Sequence, residues 1–446
     1  MASVKDLTRF GVDLTSARHI AVEDFDTLVR QGCKPQVGDV LIAKDGNSAL
    51  DTVCTVDQPL DAVMLSSVAI LRPNAAVLTS EFLKFYLSSP NVVEYLKSNF
   101  ISGAAIPRVV LRDFKKAEIR LPPLSVQKGI GQTLQAIDNK IAINRRINQS
   151  LEAMAQAIFK SWFVDFDPVK AKIAAKAEGR DPLRAAMTAI SGRPDAELDT
   201  LPPDLFASLA ATAALFPDEM EESEMGEIPI AWSAAPFGSL LAHTIGGDWG
   251  SDVPDGTNDT RVAIIRGTDL PDLDQAQTNR VPIRYTTQKK LANRRMQVGD
   301  IVLEVSGGSR DQPTGRSFRL TANAMREFDC PVEPASFCRL LRPVSVEIGV
   351  ILGLHLSYIY QQGKTWEYQN QSTGIANFQT AHFLEAELVA RPPTEMADAF
   401  FKLINPILER RHDPHGRHLA ELRDTLLPKL LSGELQVHNI EAEAAA

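Results

Sequence analysis

The most regular pattern of apolar and polar positions lies between about residues 125 and 163, where apolar residues are spaced alternately four and three apart. This spacing lines one side of a helix and is typical of a coiled-coil seam. The positions that we assign to the seam are Ile130, Leu134, Ile137, Ile141, Asn144, Asn148, Leu151, Ala155, Ile158 and Trp162. The pattern predicts a central helix over residues 121–165, with Phe163 near its end.

Two asparagines, Asn144 and Asn148, occupy seam positions where leucine is expected. A buried amide lowers stability unless a partner satisfies it, but it also penalises every wrong register of the helix pair. The alternative is that the apolar stripe shifts to Ile143 and Ile147, which leaves both asparagines in water. The pattern alone allows both registers.

A second long helix, predicted over residues 394–435, carries a similar apolar stripe and is the natural partner of the first. Its apolar positions are Met396, Phe400, Leu403, Ile407, Leu419, Leu422, Leu426 and Leu430. We expect the two helices to form an antiparallel coiled coil. A helix of about 38 residues is about 57 Å long, so it is able to hold two domains at least one DNA turn apart.

The motif HDPHGRH, residues 412–418, interrupts this second helix. Its three histidines are spaced three apart and raise the possibility of a metal site. Because Pro414 and Gly416 break helical geometry between them, we interpret the motif as a kinked, polar helix surface without a metal.

An internal repeat organises the remaining sequence. The string QVGDVLIAKDG at residues 36–46 returns as QVGDIVLEVSGG at residues 297–308, and SGAAIPRVVLRDF at residues 102–114 returns as STGIANFQTAHF at residues 372–383. The motifs LRP and RLPP/ARPP recur in the same order. Since the offset changes only from 261 to 270 between Gln36 and Ser102, we interpret the repeat as a duplication with small insertions.

Each copy predicts the same mixed unit: a Gly-Asp turn, a buried strand, a polar glycine loop, a second strand, a helix and a last strand that ends at a double proline. The predicted fold class is α+β, with two α/β domains in a pseudo-two-fold repeat separated by two long helices that form an antiparallel coiled coil. The predicted segments are a first domain (1–120), a central helix (121–165), an acidic linker or insertion (166–223), a second domain (224–393), a distal helix (394–435) and a tail (436–446).

The first domain is shorter than the second at its start. Residues 4–7 align with residues 266–270, so the first domain lacks a counterpart of residues 228–265. Three explanations remain open: the true start lies upstream, the domain is a reduced one, or a second chain completes it.

The net charge of −9 is unfavourable for a protein that binds phosphates, but the charge is unevenly distributed. Residues 195–227 contain ten acidic and no basic residues, whereas residues 261–319 contain eleven basic and six acidic ones. The second segment predicts a positive face, and a solvated surface of mixed charge is the alternative.

Sequence motifs of catalysis are missing. The chain has no phosphate-binding P-loop, no Asn-Pro-Pro-aromatic methyltransferase motif, no HExxH and no deaminase zinc pattern. Its four cysteines include no CxxC pair, its first residues do not look like a secretory signal, and its most apolar stretch is too short to span a membrane. We expect a cytoplasmic protein with no catalytic residues, no metal and no membrane contact, whose chemistry belongs to partners.

Residues 121–169, LPPLSVQKGIGQTLQAIDNKIAINRRINQSLEAMAQAIFKSWFVDFDPV, closely resemble the central repeat region of the specificity (S) subunits of Type I restriction-modification enzymes. Residues 422–435 resemble their distal repeat region. Residues 224–232, EMGEIPIAW, resemble the segment that opens their second target-recognition domain. Together with the repeated QVGD motifs, the resemblance covers nearly the whole chain; the HDPHGRH break in the distal helix departs from the family pattern.

The resemblance implies that each domain reads one half of a bipartite site in double-stranded DNA, while the helices set the unread gap. It implies two modification subunits, which bind S-adenosylmethionine and methylate adenine, and two restriction subunits, which use ATP and Mg²⁺ to translocate and cut DNA in phage defence. The S subunit itself binds no cofactor. The helices also dock the modification subunits, so Trp162, Phe163 and residues 426–431 have this second candidate role.

Polar glycine loops near basic residues are the candidate DNA contacts, because Arg reads guanine and Asn or Gln reads adenine through paired hydrogen bonds. The candidates are Lys44, Asp45, Asn47, Arg108, Arg112, Lys289, Arg294, Arg295, Ser309, Arg310, Gln312, Arg316, Gln369, Asn370, Gln371 and Asn377. The alternative for each is a surface residue, or a phosphate contact that carries no sequence information.

Two other functions remain as alternatives. One is a stand-alone DNA-binding or scaffold protein that reuses this fold, which the absence of methylase and nuclease genes beside its own would favour. The other is a single-chain restriction-modification enzyme, against which the missing catalytic motifs argue.

Overall fold

The computed structural model describes residues 1–46, 48–102, 107–308, 312–372 and 375–436. The chain divides into two compact units. Unit 1 contains residues 1–144 and 415–446, and unit 2 contains residues 145–414. Each unit holds one copy of the sequence repeat together with a part of each long helix.

Helices and strands are mixed along the whole chain. Up to the long helix they are β1 (Leu7–Thr8), β2 (Gly11–Val12), α1 (Val22–Arg30), β3 (Val40–Ala43), β4 (Val53–Thr55), β5 (Val68–Leu71), α2 (Ser80–Ser88), α3 (Pro90–Phe100), β6 (Ile101–Ser102), β7 (Arg108–Val109), α4 (Leu111–Phe114) and α5 (Leu124–Phe163). After it come α6 (Asp167–Ala177), α7 (Pro182–Ser191), α8 (Asp195–Leu198), α9 (Pro203–Ala214), β8 (Met220–Ser223), β9 (Gly226–Pro229), β10 (Ser233–Pro236), β11 (Leu241–Gly246), β12 (Thr260–Ile265), α10 (Leu270–Leu273), β13 (Ile283–Thr286), α11 (Gln288–Arg294), β14 (Ile301–Glu304), β15 (Ser306–Gly307), β16 (Ser317–Arg319), α12 (Ala322–Arg326), β17 (Val332–Pro334), β18 (Cys338–Pro343), α13 (Val346–Gln361), β19 (Gln369–Ser372), β20 (Ile375–Phe378), α14 (Thr380–Ala386), β21 (Leu388–Arg391), α15 (Thr394–Arg411) and α16 (His415–Ser432).

The centre of unit 1 is an antiparallel sheet in the strand order β4-β3-β5. The central strand β3 is buried along its whole length. Val40 and Ile42 point into one apolar cluster, and Leu41 and Ala43 point into another. An unbroken apolar run is what a strand with both faces covered requires, because successive side chains alternate between the faces.

Unit 2 is built around the same arrangement with one strand more. Its main antiparallel sheet has the order β11-β18-β14-β16, and β14 is buried along its whole length. A second sheet, β13-β12-β17, pairs β12 and β17 in parallel. The strands β14 and β18 correspond to β3 and β5 of unit 1, and the helix α13 corresponds to α2.

The repeated QVGD motif has the same structural role in both units. The buried carboxylate of Asp39 accepts the backbone N–H of Gln36 at 2.7 Å and two guanidinium hydrogen bonds from Arg72, at 2.7 and 2.8 Å. In unit 2 Asp300 makes the equivalent bond to the Gln297 N–H and pairs with Arg342 at 2.9 and 2.7 Å. The aspartate therefore closes the turn before the central strand and ties it to the strand that carries the LRP motif.

The units differ at their first strands. In unit 2, β11 pairs with the outer edge of β18, whereas none of the described residues of unit 1 pairs with that edge of β5. Ala2 bridges Met64 in parallel, as Ile265 pairs with Pro334 in unit 2. The first residues of the chain thus correspond to the last residue of β12, as the repeat alignment predicts.

The long helix α5 packs against the distal helices within each unit. In unit 1 its residues Ile130 and Leu134 share an apolar cluster with Leu427 and Leu430 of α16. In unit 2, Ala155, Phe159 and Trp162 belong to the cluster that contains Phe400 and Ile404 of α15. In unit 1 Asp138, further along α5 than Leu134, binds Arg423, which precedes Leu427 on α16. In unit 2 Glu152 pairs with Arg411, whereas Trp162 contacts Phe400. Both pairings are therefore antiparallel, which confirms the predicted fold class.

The seam differs in detail from the predicted positions. Asp138 and Phe159 are buried where Ile137 and Ile158 were expected, and the latter two are only half-buried. Ile143 and Ile147 are 48% and 42% exposed. The alternative in which these two isoleucines form the seam is therefore wrong.

The distal helix is broken as the HDPHGRH motif predicts. The helix α15 ends at Arg411 and α16 begins at His415. No group of three or more metal-ligating side chains occurs in the parts of the chain that the structure describes. His412 instead lies buried, with Nδ1 2.9 Å from the hydroxyl of Thr321.

The segment 166–223, predicted as an acidic linker or insertion, consists mostly of helices. Helices α6 to α9 lie between α5 and the first strand of unit 2, and Ala186, Met187, Leu198 and Ala213 form a small core of their own. Arg184 binds Asp195 at 2.7 Å and Asp199 at 2.8 Å. The acidic side chains of α8 and α9 are exposed, which is where carboxylates cost least. Among the described helices none is long and apolar enough to cross a membrane.

Candidate nucleic-acid interface

Each unit carries a polar surface formed by a short hairpin and the segment that follows the central strand. In unit 1 the hairpin is β6–β7, and its residue Arg108 forms an antiparallel bridge with Asp45. In unit 2 the hairpin is β19–β20, and Asn377 pairs in the same way with Ser306 of β15. We call these the unit 1 hairpin surface and the unit 2 hairpin surface.

The two bridges occupy the same place in the duplicated sequence. Asp45 and Ser306 are separated by 261 residues, the offset of the QVGD motif. Arg108 and Asn377 are separated by 269, the offset between Phe114 and Phe383 at the ends of the second repeated string. The hairpin surfaces are therefore equivalent positions of the two domains that carry different side chains.

The unit 1 hairpin surface brings together three of the predicted DNA-binding residues. Lys44 Nζ lies 3.0 Å from Asp45 Oδ2, and Arg108 Nε lies 3.2 Å from Asp45 Oδ1. The side chain of Arg108 is 66% exposed, whereas those of Lys44 and Asp45 are mostly covered. Two cations on one carboxylate leave a net positive, outward-facing site.

Arg112 lies on α4, the helix that follows the hairpin of unit 1. Its side chain is 87% exposed, and Nε lies 3.8 Å from the carboxylate of Asp113. An extended cation held this loosely suits contact with a phosphate better than contact with a base. Asn47, predicted beside Asp45, lies outside the described residues.

Among the described residues, the hairpin β19–β20 and Ser306 present uncharged, amide-rich side chains on the unit 2 hairpin surface. The hydroxyl of Ser306 donates to Asn377 Oδ1 at 2.9 Å, and the exposed Asn370 lies opposite Asn377 in the sheet. Gln369 is fixed, because its Oε1 accepts the N–H and the hydroxyl of Thr314 at 3.1 and 3.2 Å.

The other predicted residues of this segment are placed as follows. In the register of the hairpin, Gln371 lies opposite Ala376. Gln312 is exposed. The positions of Ser309 and Arg310, also predicted to contact DNA, lie outside the described residues.

Arg316 is paired inside unit 2. Its guanidinium donates to both carboxylate oxygens of Glu304, at 2.9 and 2.5 Å, and Glu304 is buried. This pairing raises the pKa of Arg316 above its ordinary value. Gly307 lies beside the pair with a φ of +155°, and a Cβ there would lie 2.6 Å from Glu304 Oε1. Arg316 therefore reaches a base only if this ion pair opens.

The predicted basic cluster around α11 lies beside β17 and not on the hairpin surface. Lys289 and Arg295 are exposed. Arg294 Nε donates to the carbonyl oxygen of Gly246 at 2.9 Å. Nearby, burial raises the pKa of Glu333 to about 7, with Asp248 adding to the effect. Of the three predicted cations, Lys289 and Arg295 are therefore the ones presented to solvent.

The predicted coil and subunit-interface residues fall into three groups. Ile141, Trp162, Phe163 and Leu430 are buried. Those that are half-buried are Ile137, Asn144, Asn148, Leu151, Ile158, Ile407 and Leu426. Leu403 and Leu422 are 41% and 48% exposed, so these two leucines do not lie in the seam.

Several residues that shape these surfaces were missed by the sequence analysis. Glu304 and Ser306 come shortly after the second QVGD motif. The polar string VSGG, residues 305–308, was the signal in the sequence that pointed to Ser306. Asp138 stands four residues after Leu134 and three before Ile141, so the seam spacing itself marked it. Its charge argued against a buried position.

Several known proteins are similar to this chain. Residues 32–153 match the family described as Type I restriction modification DNA specificity domain. The chain is 29% identical over 408 residues to the Type I restriction enzyme HindI specificity subunit of Haemophilus influenzae, covering 85% of this chain and 83% of that protein. It is 20% identical over 369 residues to the MjaIX specificity subunit of Methanocaldococcus jannaschii, covering 81% and 71%. A solved structure of a Type I S subunit from M. genitalium shares 14% identity over 89% of this chain and 83% of that chain, with a TM-score of 0.47.

Proposed function

Because the chain belongs to the family of specificity subunits of Type I restriction-modification systems, we propose that it selects the DNA site of its complex and supplies no catalytic group. The observation that carries this proposal is the pair of equivalent hairpin surfaces with different side chains. A duplicated scaffold that presents different polar groups at one position is suited to reading two different half-sites.

Each hairpin surface is proposed to enter a groove of double-stranded DNA. Lys44, Arg108 and Arg112 supply the positive charge in unit 1, while unit 2 presents the amides of Asn370 and Asn377. Phosphate contacts would fix the position of each domain, and the hairpin side chains would read base edges. The long helices are proposed to set the number of unread base pairs.

The long helices are also proposed to dock two modification subunits, to which two restriction subunits attach. Exposed apolar side chains remain on α5 in each unit: Val126 and Ile143 in unit 1, and Ile147 and Met154 in unit 2. Removing such side chains from water is favourable, so a helical partner surface is a suitable occupant.

The chemistry is assigned to these partners. S-adenosylmethionine would bind the modification subunits, and ATP with Mg²⁺ would bind the restriction subunits. This chain would hold no cofactor and would work with them in the cytoplasm.

A reconstitution experiment tests the function. The purified chain, incubated with S-adenosylmethionine and a plasmid library, is expected to methylate nothing. Addition of the modification subunit encoded beside it is expected to produce adenine methylation at one split sequence motif, mapped by sequencing. Methylation by the isolated chain, or the same motif methylated by the modification subunit alone, would show that the proposal is wrong.

A further inference from the structure

The two hairpin surfaces present one outward-facing side chain each at an equivalent position, Arg108 in unit 1 and Asn377 in unit 2. We infer that these two residues determine the base read there: a guanine by Arg108 in one half-site, and an adenine by Asn377 in the other. This inference rests on the proposed function and adds to it the chemistry of one base pair in each half-site.

The backbone of Arg108 is held by neighbours on both sides. Arg108 pairs with Ser102 across the hairpin, and the N–H of the next residue, Val109, donates to the carbonyl oxygen of Lys44 at 2.8 Å. The hairpin therefore projects the side chain from a fixed strand. A base-reading residue needs such a fixed origin because paired hydrogen bonds depend on direction.

The guanidinium of Arg108 lies in an ion pair with Asp45. Its Nε is 3.2 Å from Asp45 Oδ1, and Lys44 Nζ binds both oxygens of the same carboxylate, at 3.1 and 3.0 Å. Nε is the guanidinium nitrogen that lies against Asp45, so the edge formed by Nη1 and Nη2 is the one proposed to face a ligand. That edge matches the O6 and N7 acceptors of guanine, which arginine binds with two parallel hydrogen bonds.

Asn377 offers a different pair of groups from the equivalent place. Its Oδ1 accepts one hydrogen bond from Ser306 at 2.9 Å and retains a second lone pair, while Nδ2 is a donor. The residue is exposed at the surface of the sheet. One acceptor beside one donor matches the N6 amino group and N7 of adenine.

A role limited to phosphate contact explains these two positions less well. The amide of Asn377 carries no charge, so it gains no counterion release from a phosphate. Asp45 partly neutralises Arg108, which weakens attraction to phosphate but leaves directional hydrogen bonding intact. Arg112, which extends freely into solvent, is the better phosphate contact of unit 1.

The experiment uses the chain assembled with its modification subunit and S-adenosylmethionine on a plasmid library with randomised sequence. The methylated motif of the natural complex is expected to contain a guanine in one half-site whose replacement is penalised, and an adenine in the other that Asn377 reads. The variant Arg108→Gln is expected to reduce discrimination at that guanine by about 5- to 150-fold and leave the other half-site unchanged. Asn377→Ala is expected to reduce discrimination at the adenine and to leave the half-site with the guanine unchanged. Each variant is therefore the control of the other.

Arg108→Lys separates base reading from phosphate contact. It keeps the charge but not the paired geometry, so it is expected to lose discrimination as Arg108→Gln does. Arg30→Gln, an exposed arginine of α1, is the matched charge control and is expected to leave the motif unchanged. Melting temperatures of all variants check that the chain stays folded.

The inference is overturned if Arg108→Gln or Asn377→Ala methylates the natural motif with discrimination at every position within twofold of the natural complex. It is also overturned if Arg108→Lys keeps full discrimination. If the natural complex methylates no specific motif, the proposed function itself fails, which is a distinguishable result.

Discussion

Arg423 of α16 donates a 2.8 Å hydrogen bond to Asp138 of α5, and both side chains are buried. Lys84 of α2 binds the other oxygen of the same carboxylate at 2.8 Å. Burial opposes the charge, but Lys84 and Arg423 hold the pKa of Asp138 below its ordinary value. One carboxylate thus joins a domain helix to both helices of the seam in unit 1.

Asp138→Asn is expected to lower the free energy of unfolding by about 3 kcal/mol or more, because the buried Lys84 loses its counter-charge and the buried Arg423 is left with the exposed Asp424. Asp424→Asn is the control: Asp424 pairs with the same Arg423 but is 57% exposed, and its loss should cost less than about 1 kcal/mol. Urea unfolding of the full chain measures both. If both variants lower the free energy of unfolding by the same small amount, the buried carboxylate has no such structural role.

His412 predicts a dependence of stability on pH. Burial, together with the cations Arg411 and Arg319, lowers the pKa of this imidazole to about 3. The unfolded chain takes up a proton below about pH 6.5 and the folded chain does not. The free energy of unfolding should therefore fall as the pH drops from about 6.5 towards 3, by about 2 kcal/mol at pH 5 relative to pH 7.

His412→Gln is expected to remove this contribution while retaining a side chain that is able to bond Thr321. Urea midpoints of the natural chain and the variant at pH 7 and pH 5 give the comparison. The difference in urea midpoint between the natural chain and the variant should be smaller at pH 5 than at pH 7, or should change sign. If the difference in urea midpoint is the same at pH 7 and pH 5, His412 does not titrate as described.

Glu387 anchors the base of the unit 2 hairpin. Its buried carboxylate lies 2.8 Å from His355 Nε2 and accepts the hydroxyl of Tyr368 at 2.6 Å, and Lys364 binds it at 2.7 Å. Burial alone would raise the pKa of Glu387, but the bonds from His355, Lys364 and Tyr368 lower it to about 2. Its stabilising contribution is complete above about pH 4.5 and is lost as the pH falls through about 2.

Glu387→Gln is expected to lower the free energy of unfolding by about 2–4 kcal/mol at pH 7. A neutral amide cannot balance the charge of Lys364 or replace all the hydrogen bonds that the carboxylate accepts. Glu385→Gln, an exposed position on α14, the helix that ends just before Glu387, is the matched control and should change stability by less than about 0.5 kcal/mol. Thermal unfolding measures both. Indistinguishable melting temperatures would contradict this role of Glu387.

Arg316 is expected to act through structure and not through base reading. A double-mutant cycle with Glu304→Gln and Arg316→Gln should give a coupling energy of about 1–3 kcal/mol, since the two groups form a paired, largely buried contact. The methylated motif of the Arg316→Gln complex should be the natural one. A changed base preference in that complex would assign Arg316 to the DNA contact instead.

Local patterns predicted much of the architecture. The alternating four-three spacing predicts the long helix over 121–165, and α5 spans Leu124–Phe163. The double QVGD motif predicts two related units because each copy must build the same turn, and Asp39 and Asp300 make the same bonds. These features depend on neighbours in sequence or on a repeated string, and both are visible without a structure.

Other features depended on residues far apart in the chain. The acidic composition of 166–223 resembled a linker, since the small core of α6 to α9 leaves no long apolar stripe. Asp138 was passed over because a carboxylate is costly in a seam until Lys84 and Arg423 are brought to it.

The sequence by itself determined the two repeated units, the long helices and the polar loops in which DNA contacts were expected. Only the tertiary structure decided which of those loop residues meet. Asp45 and Arg108 are 63 positions apart and Ser306 and Asn377 are 71 apart, so no local pattern pairs them. Their contact follows from strand pairing between the hairpin and the end of the central strand, which depends on the packing of the whole domain.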